Sequence, residues 1–295
     1  MKKSFLIFII FLTVSCQKKS VDNQKISSVE HIKLTKMANE VGIMHNKILA
    51  DMISNLKRRS LSIPTDGNGS QHSVNSEVFG IEDFCIYSTQ ASSNYYSIEF
   101  SSSYQGVNTA GGHWLVNQLN ASPSPMDVVE VECKSIINQT NSQGFLSNQE
   151  SQLLNQAFTI FDNIDTNQPE EVILGDINNA INAIVAQKNS MYWQPGTGYV
   201  ISGYLSVLKS SFEFWGSNLL EGDFNSINTL KKEGFWEGVG LWARRLNLAQ
   251  VDAAGYIYGW GKAVIEGGNT ERQRIAAGGD NALDWSGIKH FFGKK

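Results

Sequence analysis

The sequence predicts a mostly α-helical protein: a bundle of five or six helices with an irregular, loop-rich insert near residues 61–124. Three observations carry that expectation. Apolar residues recur at three- and four-residue steps over long runs after residue 35, the spacing of one helix face. Helix-start chemistry precedes two runs: Ser147-Asn148-Gln149-Glu150 reads as a capping box, and Pro169-Glu170-Glu171 as a proline-led first turn rich in carboxylates. Turn residues cluster between the runs, at residues 64–70, at Pro123 and Pro125, and at Pro195-Gly196.

In order, residues 35–60 form the clearest helix, with Met37, Val41, Met44, Ile48, Met52 and Leu56 on one stripe. Residues 61–124 show no sustained period. Within them Tyr95 to Phe100 reads as a short strand, and His113-Trp114 opens a brief apolar segment that ends at Leu119. From Pro125 the run Val128, Val129, Val131, Cys133, Ile136 and Ile137 suits a helix or a strand, and its length favours a helix. The capping box opens a helix facing inward through Leu153, Leu154, Ala157, Phe158 and Phe161, and the next carries Ile173, Ile177, Ile181 and Ile184. Glu170 and Glu171 suit the positive end of that helix, and as neighbours they point about 100° apart, which does not make an acid–base couple. Residues 199–215 give another helix, then 234–248 and 251–268. Gly278-Gly279-Asp280-Asn281 reads as a turn, with Asp280 as N-cap of a short last segment through Trp285; Asp280 and Asp284 share a helix face and, with no His or Cys at matching spacing, read as solvated.

The first sixteen residues have the parts of an export signal. Lys2 and Lys3 precede the apolar block Phe5 to Leu12, and Thr13-Val14-Ser15-Cys16 closes it. The block is far shorter than the roughly 20 apolar residues a spanning helix needs. Its end resembles the lipobox of bacterial lipoproteins, which implies lipidation of Cys16 and removal of residues 1–15. Thr13 departs from the usual Leu of that motif. Residues 16–34 then read as a lipidated cysteine and a polar tether, and residues 35–295 as a single helical domain. The expected place is a lipid anchor in a bacterial envelope, with the outer membrane as the expected membrane. At roughly 0.8 kcal/mol per buried CH₂, such acyl chains hold the protein there without help from its fold.

Composition excludes some partners. The chain has 24 basic and 28 acidic residues, a net charge of −4, and loss of Lys2 and Lys3 leaves −6. Lys57-Arg58-Arg59 is the densest basic run and falls at a helix end, so nucleic acid is not expected as a partner. Apart from Cys16, only Cys85 and Cys133 remain, and two separately buried thiols are favoured slightly over one disulfide.

Candidate site residues are few. His45 and Asn46 lie at the edge of the first apolar stripe, where an imidazole and an amide side by side offer a ligand site or a satisfied core pair. His113 and Trp114 offer another in the irregular region. Asp66, Asn68, Ser70 and Glu77 match positions 1, 3, 5 and 12 of a calcium loop, but Gln71 stands where that loop needs glycine, so an ordinary polar loop is favoured. Asn163, Asp165 and Asn167 fail at both the glycine and the final glutamate. No cofactor or metal is expected. Val251, Gly255, Gly259 and Ala263 form a stripe of small residues beside Ala253, Ile257, Trp260 and Val264. Asp252, Lys262 and Glu266 interrupt it, which favours a close-packed core hairpin over a membrane span.

The Gly42-x-x-His45-Asn46 helix and the Ala/Gly segment near residues 253–263 resemble a group of exported bacterial proteins with no assigned activity, so the resemblance implies no catalytic residues. No nucleophile elbow, zinc-protease helix, P-loop or dinucleotide fingerprint is present. The expected role is that of a membrane-anchored lipoprotein, a non-enzymatic binding or structural protein with an envelope protein or glycan as partner. Three alternatives stand: a glycan-binding module using the tryptophans after residue 190, a hydrolase built on His113 with Cys85 or Cys133, and a membrane-active toxin-like protein using the small-residue helix.

Overall fold

In the computed structural model the described residues are 27–61, 80–100, 102–122, 125–161, 164–165, 168–193, 197–220, 241–267 and 269–292. Among them lie nine α-helices and no strand: α1 (Ser28–Leu61), α2 (Ile81–Tyr96), α3 (Ser102–Ala121), α4 (Pro125–Ser142), α5 (Asn148–Phe158), α6 (Glu170–Ser190), α7 (Tyr199–Leu220), α8 (Leu241–Ile265) and α9 (Glu271–Phe292). The chain is mostly helical, as expected, with more helices than the five or six counted. Cys16, the calcium-loop candidate of Asp66, Asn68, Ser70 and Glu77, and Asn163 and Asn167 lie outside the described residues.

The bundle is organised around α9. Residues 275–289 of this helix are buried on every side, so it has no polar face to show to water. It touches α1, α2, α3, α7 and α8. Helix α8 is its main partner and is itself buried from Val251 to Gly261. The small-residue stripe sets this contact. A Cβ on Gly255 would come within 2.6 Å of the Asn281 carbonyl oxygen, and one on Gly259 would run into the Ala277 carbonyl. The hairpin is therefore a core element, and among the described residues no helix is long and apolar enough to cross a membrane. Helices α1 and α7 pack together against this pair, α2 and α3 cover α9, and α4 to α6 lie outside, α4 against α8.

Five expectations are corrected. The region 61–124 carries two helices, because the inward positions of α2 and α3 are held in part by buried Ser88, Ser92 and Asn108 and so show no apolar period. The strand at Tyr95 to Phe100 is the end of α2: Ser97 takes the left-handed conformation at φ 50° and Ile98 N–H returns to the Ser93 carbonyl at 3.0 Å. Helix α8 runs unbroken where a boundary between residues 248 and 251 was expected, since neither Gly nor Pro interrupts Leu248-Ala249-Gln250-Val251. Helix α9 passes straight through Gly278 to Asn281. Its cap is Thr270, whose Oγ1 accepts from Gln273 N–H while Gln273 Oε1 accepts from Thr270 N–H. The tether also ends earlier than residue 34, because α1 starts at Ser28 and Leu34 is buried.

The capping box of α5 forms as expected: Ser147 Oγ accepts from Glu150 N–H at 3.1 Å and Glu150 Oε2 accepts from Ser147 N–H at 3.0 Å. The other oxygen of Glu150 accepts from Gly198 N–H at 2.5 Å, tying this end of α5 to the start of α7.

Helices α1 and α7 cross at Gly42. A Cβ there would collide with the Ser206 carbonyl, whereas one on Gly106 in α3 would meet nothing within 4 Å. Gly42→Ala is expected to lower stability by about 2–3 kcal/mol, read as a Tm drop of roughly 5–10 °C. Gly106→Ala is expected to raise stability by about 0.5–1 kcal/mol in the same thermal-melt measurement, since it gains helix propensity without a clash.

Candidate functional site

The Gly42-x-x-His45-Asn46 motif places three contacts on one side of α1. Gly42 N–H donates to Ser206 Oγ at 3.1 Å, and that hydroxyl donates to the Asn39 carbonyl at 2.7 Å. One turn on, Asn46 Nδ2 donates to the Ser210 carbonyl at 2.6 Å. The amide oxygen of Asn46 lies 2.9 Å from His45 Nδ1, which assigns a proton to that nitrogen. His45 Nε2 then faces Asp252 Oδ2 of α8 at 3.6 Å, both side chains fully buried. Asp252 Oδ2 also accepts from Ser211 Oγ and, at 3.1 Å, from Trp215 Nε1, both on α7.

Burial pushes the Asp252 carboxyl up, against the opposing pull of His45 and of the Ser211, Ser286 and Trp215 donors. Lys289 of α9 lies inside too. Burial lowers its ammonium to about 8 despite the attraction of Asp252, and it reaches the Asn247 carbonyl at 3.4 Å. This is an internal polar joint linking α1, α7, α8 and α9. It is not a hydrolytic triad, because Ser211 and His45 both converge on the same carboxylate oxygen instead of forming a chain from Ser through His to Asp.

His113 and Trp114 are elsewhere, on α3. His113 Nε2 lies 3.6 Å from Glu82 Oε1 of α2, with the two side chains 48% and 72% exposed, so this is a weak surface pair. Trp114 is half-buried and stacks on Tyr258 at 6.0 Å and on Trp285 at 5.6 Å. The four candidate residues therefore do not make one site.

Cys85 and Cys133 are two separate, buried, unbridged thiols. Burial pushes the Cys85 thiol far up, and the carboxylates of Asp284 and Asp280 push it further; burial does the same to Cys133. A nucleophilic cysteine needs the opposite environment, so the arrangement disfavours the hydrolase reading of His113 with either thiol. Both thiols are expected to resist a thiol-specific reagent in native buffer and to react fully once denaturant unfolds the chain, as a colorimetric thiol titration would record. The glycan platform of late tryptophans is likewise weakened: Trp215, Trp260 and Trp285 are core residues and Trp193 is half-buried. Trp236 and the side chain of Trp242 lie outside the described residues.

Sequence reasoning read Asp280 and Asp284 as solvated, and both are fully buried. Asp280 Oδ2 accepts from Thr89 Oγ1 at 3.0 Å, Tyr104 O–H at 3.1 Å and Asn108 Nδ2 at 3.1 Å. Asp284 Oδ1 accepts from Ser88 Oγ. Burial raises Asp280 to about 6, and Asp284 is pushed well above the carboxylate range by burial and by the Asp280 charge. The available signal was the four-residue spacing of two acids inside a segment with no polar stripe.

These two acids bind protons more strongly in the folded chain than in the unfolded one, so the stability they contribute is present below the ordinary carboxylate pKa and is lost as pH rises through about 6 and beyond. Lowering the pH from 7 to 5 is expected to stabilise the fold through this pair. Asp284→Asn is expected to reduce that pH dependence, measured by denaturant unfolding at each pH.

The surface offers a different arrangement. A groove of about 240 Å³ runs between α1 and α2, lined by Ile48, Asp51, Met52 and Ser54 on one side and Tyr87, Ala91, Asn94 and Tyr95 on the other. Tyr95 O–H donates to Asp51 Oδ2 at 2.6 Å, and the Lys47 ammonium sits 5.2 Å above its ring. Comparison with protein-family models, with curated proteins and with solved structures finds no match.

Proposed function

We propose that this chain is a lipid-anchored protein of a bacterial envelope, held through Cys16, whose helical domain has a non-enzymatic binding role. The observation that carries the binding role is the contrast between core and surface. Asp252, Asp280, Asp284, His45, Cys85 and Cys133 are inside the bundle. The α1–α2 groove, by contrast, sets two tyrosine side chains beside a carboxylate, an amide and a hydroxyl at the surface. Aromatic faces with adjacent hydrogen-bonding groups suit the apolar face and hydroxyls of a sugar, so an envelope glycan is the favoured ligand and a protein partner the second.

Titration of isotopically labelled protein with oligosaccharide fragments of peptidoglycan and of lipopolysaccharide core tests this. Saturable shifts confined to residues 47–54 and 87–95 are expected, and Tyr95→Ala is expected to weaken them about tenfold or more, at the 1–3 kcal/mol that a stacked aromatic and its hydrogen bond contribute. No shift with any fragment would end the glycan assignment. The anchor is tested independently: mass spectrometry of the mature N-terminus should find acyl chains on Cys16, and an unmodified Cys16 would end that part.

A further inference from the structure

The outer face of α1 carries large apolar side chains in water. Val29, Ile32 and Ile43 are 61%, 67% and 63% exposed. At 100° per residue they fall with Lys36 and Glu40 inside an arc of about 80°, along about 21 Å of helix. Leu34, Ala38, Val41 and Ile48 lie on the opposite side, in the core. An exposed apolar residue standing alone is ordinary. The other large ones among the described residues are scattered: Ile86 on α2, Val131 on α4, Val172 at the start of α6 and Tyr192 beyond its end. Only α1 sets three in line. Valine and isoleucine favour a helix less than alanine or lysine does, so helix formation does not account for them there.

Positive charge gathers at the same end of the chain. Residues 16–50 hold six lysines against three acids, although the chain without Lys2 and Lys3 stands at −6. Lys33 and Lys36 are exposed beside Ile32. Glu40 is the acid within the arc, and the Lys36 ammonium lies 4.0 Å from it. Ser27, just before α1, is eleven residues from Cys16, which is at most about 40 Å of extended chain. A chain held at Cys16 therefore keeps the start of α1 within that reach of the membrane.

We propose that the outer face of α1, from Val29 to Ile43, lies against an anionic phospholipid surface and sets the orientation of the tethered domain. The inference rests on the lipid anchor proposed above and adds a second contact to it. Acyl chains on Cys16 supply retention, but one covalent point does not choose which side of the domain faces the membrane. Val29, Ile32 and Ile43 reach the boundary between headgroups and acyl chains, while the ammonium groups of Lys33 and Lys36 stay among the phosphates. Three aliphatic side chains are too few to hold a protein of this size alone. With the tether in place the contact becomes intramolecular, and a weak face is then enough to orient. A face of net positive charge suits an anionic surface better than a second copy of itself.

The test uses the acylated full chain in vesicles of phosphatidylcholine, with or without phosphatidylglycerol, and a fluorescent label quenched by brominated lipid. The label is placed at Asn39→Cys, exposed at the edge of the arc, or in a separate protein at Val131→Cys on α4. The buried thiols of Cys85 and Cys133 leave the added one to react. With phosphatidylglycerol, quenching at residue 39 should exceed that at residue 131 by about twofold or more, and high salt should reduce the difference. Ile32→Ser combined with Ile43→Ser should abolish it without lowering the melting temperature, since both side chains are exposed. A second sample, Cys16→Ser with a histidine tag at its N-terminus on nickel-chelating lipid, restores the tether without acylation. The same pattern there supports the face even if mass spectrometry finds native Cys16 unmodified and ends the anchor. Equal quenching at the two positions, or quenching unchanged by the Ile32 and Ile43 substitutions, would overturn the proposal. An Ile43-dependent dimer in solution, seen by light scattering, would assign the face to a second copy and overturn it as well.

Discussion

A helix with no exposed side must have its polar groups satisfied from within, and α9 is such a helix. From Ile275 to Lys289 it carries two aspartates, an asparagine, a serine and a lysine, all buried. Water cannot serve these groups freely, so the neighbouring helices bring donors to them: Ser88 and Thr89 from α2, Tyr104 and Asn108 from α3. This requirement explains why α2 and α3 have polar inward positions and why apolar patterning is weak there. The identity of the covering helices follows from the chemistry of the helix they cover.

A second joint fixes the other side. Asp252 takes donors from α7 and faces His45 of α1, and Lys289 brings α9 to the same region. Removing one member of such a group leaves a buried charge or lone pair without a partner, at a cost of several kcal/mol, whereas the intact group is close to neutral for stability. What it supplies is register. Gly42 allows α1 to approach α7 until Ser206 bridges two backbone groups, and only at that distance do Asn46 and His45 meet their partners. The motif is one device with a spacing residue and two anchoring residues.

Legibility in the sequence divides along this line. The first helix, the capping box at Ser147 and the small-residue hairpin were readable because each rests on local spacing. Helices α2 and α3 were not, because their buried serines and asparagine mimic a surface. Gly278-Gly279-Asp280-Asn281 reads as a turn by composition, yet the tight fit of Gly278 on Tyr256 and Gly279 on Tyr96 keeps the chain helical. Local propensity there favours a break and tertiary packing overrides it. For the candidate site, His45 and Asn46 were visible as an unusual pair on an apolar stripe, but their partners, Asp252 for His45 and Ser210 for Asn46, lie far along the chain and only the fold joins them.

Placing the reactive groups inside has a consequence for what the molecule can do. A buried thiol beside carboxylates is held protonated, and a histidine locked between an amide and an acid has no path to a substrate. Such groups contribute to uniqueness of structure, and their chemistry is used internally. The groove between α1 and α2 borders the packed faces of these two helices, so it inherits the rigidity of the joints behind it. Ile48 and Met52, which face the core, also line the groove floor beneath Asp51 and Tyr95. Movement of α1 against α7 would therefore reach the groove directly, because the groove and the packed face of α1 share Ile48 and Met52.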